Sequence, residues 1–249
     1  MDNCFGGGGG SMDPTGGWEI SCSPGGSEIV YTDDIRQFFG IIWKININGQ
    51  NLVQLTTTDF LGASSPTWSP DANVIVFDYF DYSIGEYGKR QIYKMNSDGS
   101  FRENLSFNTK SEHDPSWYPG PRIVFVSDGE LWTMDENGQN RIQITYDGSN
   151  KSDPEWSPNG NEIVWVKVNN PHKEIWICNA DGTNCRFLYG YENIICSEPT
   201  FSFDGSSIIF IRKENGGNGE IWIKEIDGSY LDKISRDSDK HYGSPSLIR

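Results

Sequence analysis

The sequence predicts an all-β fold, a five-bladed β-propeller of four-stranded antiparallel blades. Three observations predict it. A strand-and-turn pattern recurs along the chain with turn glycines Gly49, Gly99, Gly138, Gly182 and Gly228, spaced 50, 39, 44 and 46 residues apart. The runs between turns are short and rich in β-branched and aromatic residues, which suits strands. No stretch carries a sustained 3.6-residue apolar period, so no amphipathic helix is expected. Self-similarity at this spacing, with four strands in each unit, is the signature of a propeller.

The stretch from Asp153 to Tyr189 shows one unit most clearly, with strands a, b, c and d in order. Strand a is the extended run around Pro154 and Trp156, closed by the Asn159-Gly160 turn, and strand b is Ile163 to Val166. Strand c is Glu174 to Asn179, and Asp181-Gly182 turns it into strand d. Asn-Gly and Asp-Gly suit such hairpins because the turn needs positive φ. Strand c recurs as Ile42 to Gly49, Ile92 to Gly99, Leu131 to Gly138 and Ile221 to Gly228 with their turns. Strand a recurs as Pro66-Thr-Trp-Ser-Pro70, Pro115-Ser-Trp-Tyr-Pro119 and Pro199-Thr-Phe-Ser-Phe203. In the first unit it is eroded to Glu19–Ser23, with Cys22 where the others carry Trp68, Trp117, Trp156 and Phe201. The tryptophans of strand c, Trp43, Trp132, Trp176 and Trp222, are expected to fill the core between blades.

These units resemble TolB-type propeller repeats, whose pattern is P-x-W-S-P-D-G, then I-x-F, then I-Y/W and a D-G turn before L-T. The resemblance covers nearly the whole chain and rests on several elements recurring in order. It implies a fold used for protein docking in the bacterial envelope and as the non-catalytic lid of some peptidases. A fold of this kind does not by itself imply chemistry.

The units are expected near residues 18–62, 63–111, 112–150, 151–195 and 196–243, with a closing strand at 244–249 in which Leu247 takes the Trp position. Glu19–Ser23 competes with that segment for the same place in the ring. Closure by strands from both termini removes an exposed edge, and the losing segment is left to pair with another copy of the chain. Residues 1–17 are Gly-rich and read as a coil. A lipid-anchored tether beginning at Cys4, a tail docked on another subunit, and a remnant of cloning are the open readings. The longest b–c connection runs from Phe77 to Arg90. Its Tyr79, Phe80, Tyr82 and Tyr87 either anchor an interface or fold back on their own blade.

The chain of 249 residues carries a net charge of −15. Such acidity speaks against nucleic acid, which needs a basic footprint, and against anionic membrane surfaces, so a membrane enters only through a lipid anchor. The residues before each strand-a proline, Ser65, Asp114, Asp153, Glu198 and Ser244, are expected to ring one mouth of the central channel, with His113 beside Asp114. Three carboxylates there would suit Ca²⁺, which takes oxygen ligands, or a cationic peptide. Alternatively they cap the turn into strand a by accepting backbone N–H bonds. His172 and His241 stand alone, and no spacing suggests zinc or a Ser-His-Asp triad.

Cys178 and Cys185 are symmetric about the Asp181-Gly182 turn, so a cross-strand disulfide is expected. Cys22 and Cys196 are a second pair open to bridging, with buried free thiols as the alternative. Cys4 is then left for lipidation or an intermolecular bond. Disulfides would place the protein in an oxidising compartment, extracellular or in the cell envelope. The functional expectation is a scaffold that binds protein partners or copies of itself, up to a filament, and works without catalysis. The alternative is an enzyme or gating module acting on peptides or polysaccharides.

Overall fold

The computed structural model describes residues 19–34, 40–57, 62–117, 119–214 and 217–235, and among them there is no helix. Four antiparallel strands make the first sheet, β1 (Ile20–Cys22), β2 (Glu28–Asp34), β3 (Gly40–Asn46) and β4 (Val53–Gln54). The second sheet holds β5 (Ala63–Trp68), β6 (Val74–Asp81), β7 (Lys89–Asn96) and β8 (Glu103–Asn104). The third holds β9 (Glu112–Ser116), β10 (Ile123–Ser127), β11 (Glu130–Met134) and β12 (Ile142–Gln143). Two more four-stranded meanders follow: β13 (Asn150–Trp156), β14 (Glu162–Asn169), β15 (His172–Asn179) and β16 (Arg186–Tyr189), then β17 (Ile194–Phe201), β18 (Ser207–Glu214), β19 (Glu220–Glu225) and β20 (Leu231–Lys233). These two are fused into one mixed sheet of eight strands by a single parallel bridge, Lys173 to Ile195.

The fusion has a local cause. In four meanders a hydroxyl accepts the N–H of the third-strand residue fourteen positions before it. The pairs are Ile42 N–H to Thr56 Oγ1 (2.8 Å), Ile92 to Ser106 Oγ (2.7 Å), Leu131 to Thr145 Oγ1 (2.9 Å) and Ile221 to Ser235 Oγ (3.2 Å). In the fourth meander the residue at that offset from Ile175 is Tyr189, which pairs with Ile175 as part of β16. The bridge from Lys173 to β17 sits at this joint.

The core lies between successive sheets. Val30, Ile42 and Leu55 of the first pack on Trp68, Ile75 and Phe77 of the second. Val76, Ile92 and Leu105 meet Trp117, Ile123 and Phe125. Val126, Leu131 and Ile144 meet Trp156, Ile163 and Trp165, and Val166, Ile175 and Ile177 meet Phe201, Ile208 and Phe210. The aromatic residue of the first strand is therefore the wedge of each joint, with Trp68, Trp117, Trp156 and Phe201 all buried. The third-strand tryptophans Trp43, Trp132, Trp176 and Trp222, expected there, are half-buried, and Trp132, Trp176 and Trp222 pack against these joints. Cations cover three of them, with Lys110, Lys167 and Arg212 standing 4.7–5.5 Å from the ring centroids of Trp132, Trp176 and Trp222.

The turn glycines also serve the joints. Gly138 has φ +75° and Gly182 φ +82°, and a Cβ on either would stand 2.3 Å from the carbonyl oxygen of Leu105 or Ile144 in the preceding sheet. Only glycine meets both demands at once, the left-handed backbone and the close approach.

Candidate functional site

The residue before each strand-a proline adopts an unusual backbone. Ser65, Asp114, Asp153 and Glu198 have φ of 52°, 51°, 54° and 51°, a region that costs an ordinary L-residue about 1–2 kcal/mol. At the same place the ladder between the first and second strands slips in register, between Ser64 and Thr67, Ser152 and Glu155, and Ser197 and Thr200, and opposite Val124 and Val126 in the third sheet. Such a bulge re-aims the backbone, and here it sends one N–H toward the preceding sheet. Ser65 donates to Glu19 Oε2, Asp114 to Asp78 Oδ2 (3.0 Å), Asp153 to Asp114 Oδ2 (3.2 Å) and Glu198 to Asp153 Oδ2 (3.4 Å). The carboxylates thus do accept backbone N–H bonds, but across the joint rather than within their own strand.

Asp78 has a particular place in this relay. Ser65 carries no carboxylate, and Asp78 on β6 supplies the one that Asp114 N–H needs. Asp78 stands where the corresponding strands carry Val126, Val166 and Ile211, two residues beyond the positions opposite Thr67, Ser116, Glu155 and Thr200. Its side chain is buried, and Arg90 on β7 forms an ion pair with its Oδ1. Ser64 Oγ donates to the same oxygen at 2.6 Å.

Glu19, Asp78, Arg90, His113 and Asp114 come together on the wall of a cavity of about 460 Å³. His113 Nδ1 lies 3.1 Å from Asp114 Oδ2, and the imidazole keeps 29 % of its surface exposed. Burial pushes the Glu19 carboxyl up, and the charges of Asp78 and Asp114 push it further, against the Ser65 N–H, so it rests well above the usual carboxylate range. Burial would also raise Asp114, but His113, the Asp153 N–H and Arg90 outweigh it and hold that carboxyl below its ordinary value. Burial would lower His113, and Asp114 more than offsets it, so the imidazole holds its proton above the ordinary histidine range. The remaining wall includes Ser152 and Lys173. Among the described residues, the buried Ser152 Oγ has no hydrogen-bond partner.

Of the expected mouth residues, Ser65, His113 and Asp114 line this cavity, while Asp153 and Glu198 continue the relay away from it. Ser244, Leu247, Cys4, the Gly-rich residues 1–17 and the closing segment 244–249 lie outside the described residues. Among those described, no three His, Cys, Asp or Glu side chains are arranged to hold a metal ion. Glu19, Asp78 and Arg90 escaped the sequence reading. Glu19 was legible from register, since it precedes Cys22 by the same three residues that separate Asp114 from Trp117.

The aromatic stretch is shorter as a loop than expected. The ladder with β7 runs on to Asp81, opposite Lys89, so β6 extends to Asp81 and β7 begins at Lys89. Tyr79 therefore lies on a strand, edge-on to Tyr93 at 5.5 Å, and Phe80 meets Tyr82 at 4.8 Å. Tyr82 and Tyr87 are the exposed pair. The cysteines also depart from expectation. Cys178, Cys185 and Cys196 are free thiols, so neither expected bridge is present. Cys22 is disulfide-bonded, though not to Cys196.

No protein-family model matches the sequence, and comparison with curated proteins finds no match. Solved structures do share the fold. TolB from Acinetobacter baumannii superposes with a TM-score of 0.71 at 18 % identity, covering 88 % of this chain and 54 % of that one. An oligogalacturonate lyase in complex with manganese gives a TM-score of 0.62 at 13 % identity, covering 87 % and 64 %. A puromycin hydrolase gives 0.64 at 13 % identity, covering 92 % and 39 %. The chain thus has a TolB-like propeller fold and spans about half the length of that TolB. These neighbours overturn the expectation that the chain is not an enzyme, because a lyase and a hydrolase carry the same architecture.

Proposed function

We propose that this chain is an interaction propeller of the cell envelope whose cavity receives a cationic segment of a protein partner. The observation that carries the proposal is the meeting of Glu19, Asp78 and Asp114 on the wall of one cavity, with Arg90 paired to Asp78 and His113 to Asp114. Each carboxyl group there offers oxygen acceptors to an ammonium or guanidinium group, and the net charge of −15 draws such a partner in from a distance. The disulfide at Cys22 fits a compartment outside the cytoplasm. The relay of N–H donors runs in one sense through five meanders, which supports a ring of five blades closed by the terminal strands. Self-association through the terminal segments belongs to the same proposal, and a particle of monomer mass at high concentration in light scattering is the contrary result.

The test is calorimetric titration with a Lys- and Arg-rich peptide. Asp114→Asn keeps an acceptor for the Asp153 N–H and removes the charge. It is expected to weaken binding by about tenfold, corresponding to about 1.4 kcal/mol, with binding by the unaltered chain falling as salt rises. Unchanged affinity in the variant would sink the proposal.

One observation favours a second reading, an enzyme acting on a peptide or an anionic polysaccharide. His113 is held by Asp114 at the edge of the cavity, the arrangement of a base and its orienting carboxylate. Turnover of oligogalacturonate or of an aminoacyl amide that disappears in His113→Gln would select this reading. The same slow background rate in both proteins would remove it.

A further inference from the structure

In the fourth meander Cys178 near the end of β15 and Cys185 just before β16 are a pair of thiols that the cavity does not use. The register of β15 on β16 sets Trp176 against Phe187 and Ile177 against Arg186. The next facing positions toward the turn are Cys178 and Cys185. Cys178 is buried and Cys185 is exposed. Cys185 Sγ donates to the Gly182 carbonyl at 3.3 Å, and the two thiols lie close enough for each to influence the other's titration.

The intervening turn holds them there. Asn179 N–H donates to Thr183 O and Gly182 N–H to Asn179 O, both at 2.9 Å. Asn179 Nδ2 reaches Thr183 Oγ1 at 2.8 Å, and the Asp181 carboxylate accepts from the Thr183 N–H at 2.9 Å. Two sulfur atoms fixed this way, one facing solvent and one behind it, have the layout of an attacking and a resolving thiol.

We propose that Cys178 and Cys185 form a closable dithiol, a modification site whose reagent is a small-molecule disulfide such as oxidised glutathione. Cys185 loses its proton to solvent and its sulfur attacks one sulfur of the glutathione disulfide. That S–S bond breaks, and one glutathione leaves as a thiolate that takes up a proton. Cys178 then gives up its proton and attacks Cys185 Sγ, forming the protein disulfide and expelling the second glutathione. The protein is oxidised by two electrons, one glutathione disulfide is reduced to two thiols, and no other oxidant enters. Burial raises both protein thiols above the ordinary cysteine value, so the exchange accelerates as the pH rises. Cys196 is a built-in control. It is a buried free thiol, and burial pushes it up to about 12.

The test uses the full chain incubated with oxidised glutathione at about pH 8, where an ordinary thiol is partly ionised, followed by intact mass and peptide mapping. The expected product has lost two hydrogens and carries a Cys178–Cys185 cross-link, with Cys196 still reduced. Dithiothreitol should reverse it. Cys178→Ser should trap glutathione on Cys185 as a stable adduct, and Cys185→Ser, a change at an exposed position, should leave Cys178 unreacted. A lasting glutathione adduct on Cys185 in the unaltered chain, a cross-link of either residue to another cysteine, or no reaction at all would overturn the proposal.

Discussion

Glu19 is the residue whose environment most clearly departs from that of a surface carboxylate. It accepts the Ser65 N–H, takes a longer contact from Thr32 Oγ1 at 3.5 Å, and faces Asp78 and Asp114 across the cavity. Its folded-state pKa lies well above the unfolded one, so between the two values the folded chain holds a proton that the unfolded chain has released. Stability linked to this group is therefore present at acid pH and declines as the pH rises through the raised value. Glu19→Gln keeps the acceptor oxygen without the charge. It is expected to melt higher than the unaltered chain at neutral pH and to show no advantage at acid pH, as thermal scans across pH will read. Asp114 has the opposite sign, contributing above the usual carboxylate range and losing that contribution as the pH falls through its lowered value. At this scale the sequence was only partly readable. Asp114 and its proline announced themselves by repetition, whereas Asp78 is a single departure from an apolar pattern. Arg90 lay in a stretch read as loop because its aromatics outnumbered what a turn requires.

Strand-and-turn elements repeat because each turn glycine and each capping hydroxyl acts on a neighbour as well as on its own strand. Thr56 illustrates the second device, its buried Oγ1 accepting the Ile42 N–H at 2.8 Å. Thr56→Val preserves shape and leaves that N–H without an acceptor. A loss of about 1–3 kcal/mol is expected in denaturant unfolding, with no change in far-UV circular dichroism. The hydroxyl was legible in the recurrent ending of an aliphatic residue and a hydroxyl, Leu55-Thr56, Leu105-Ser106, Ile144-Thr145 and Ile234-Ser235. So was its replacement by Tyr189, but a single tyrosine does not reveal that the next strand will reach across to Lys173. That depends on two sheets meeting, which local propensity does not encode.

For the whole molecule, the joints between sheets carry the stability, and their wedges are the first-strand aromatics. Trp156→Ala removes a side chain that is 2 % exposed and seated among Val124, Ile144 and Ile163. A cost of about 3–5 kcal/mol is expected, measurable as a shift of the urea midpoint at constant slope. A fall in slope with little change in midpoint would mean that the joints unfold separately. The architecture was legible because a unit repeated in order leaves few other folds. The core was less so, since tryptophan recurs on two strands and only packing shows that the first-strand copies are buried and the third-strand copies half-buried, three of them under cations.

The relay across the joints also bears on how such a chain is inherited. Its donor is a backbone N–H, which any residue but proline supplies, and only the acceptor is spelled out in a side chain. A duplicated unit therefore arrives with its donor intact, and a lost acceptor can be restored from whichever strand passes within reach. In the second unit Ser65 stands at the usual acceptor position and Asp78 accepts in its place. Each donor and acceptor pair joins only two neighbouring sheets, so a change of acceptor bears on one joint and leaves the other pairs in place.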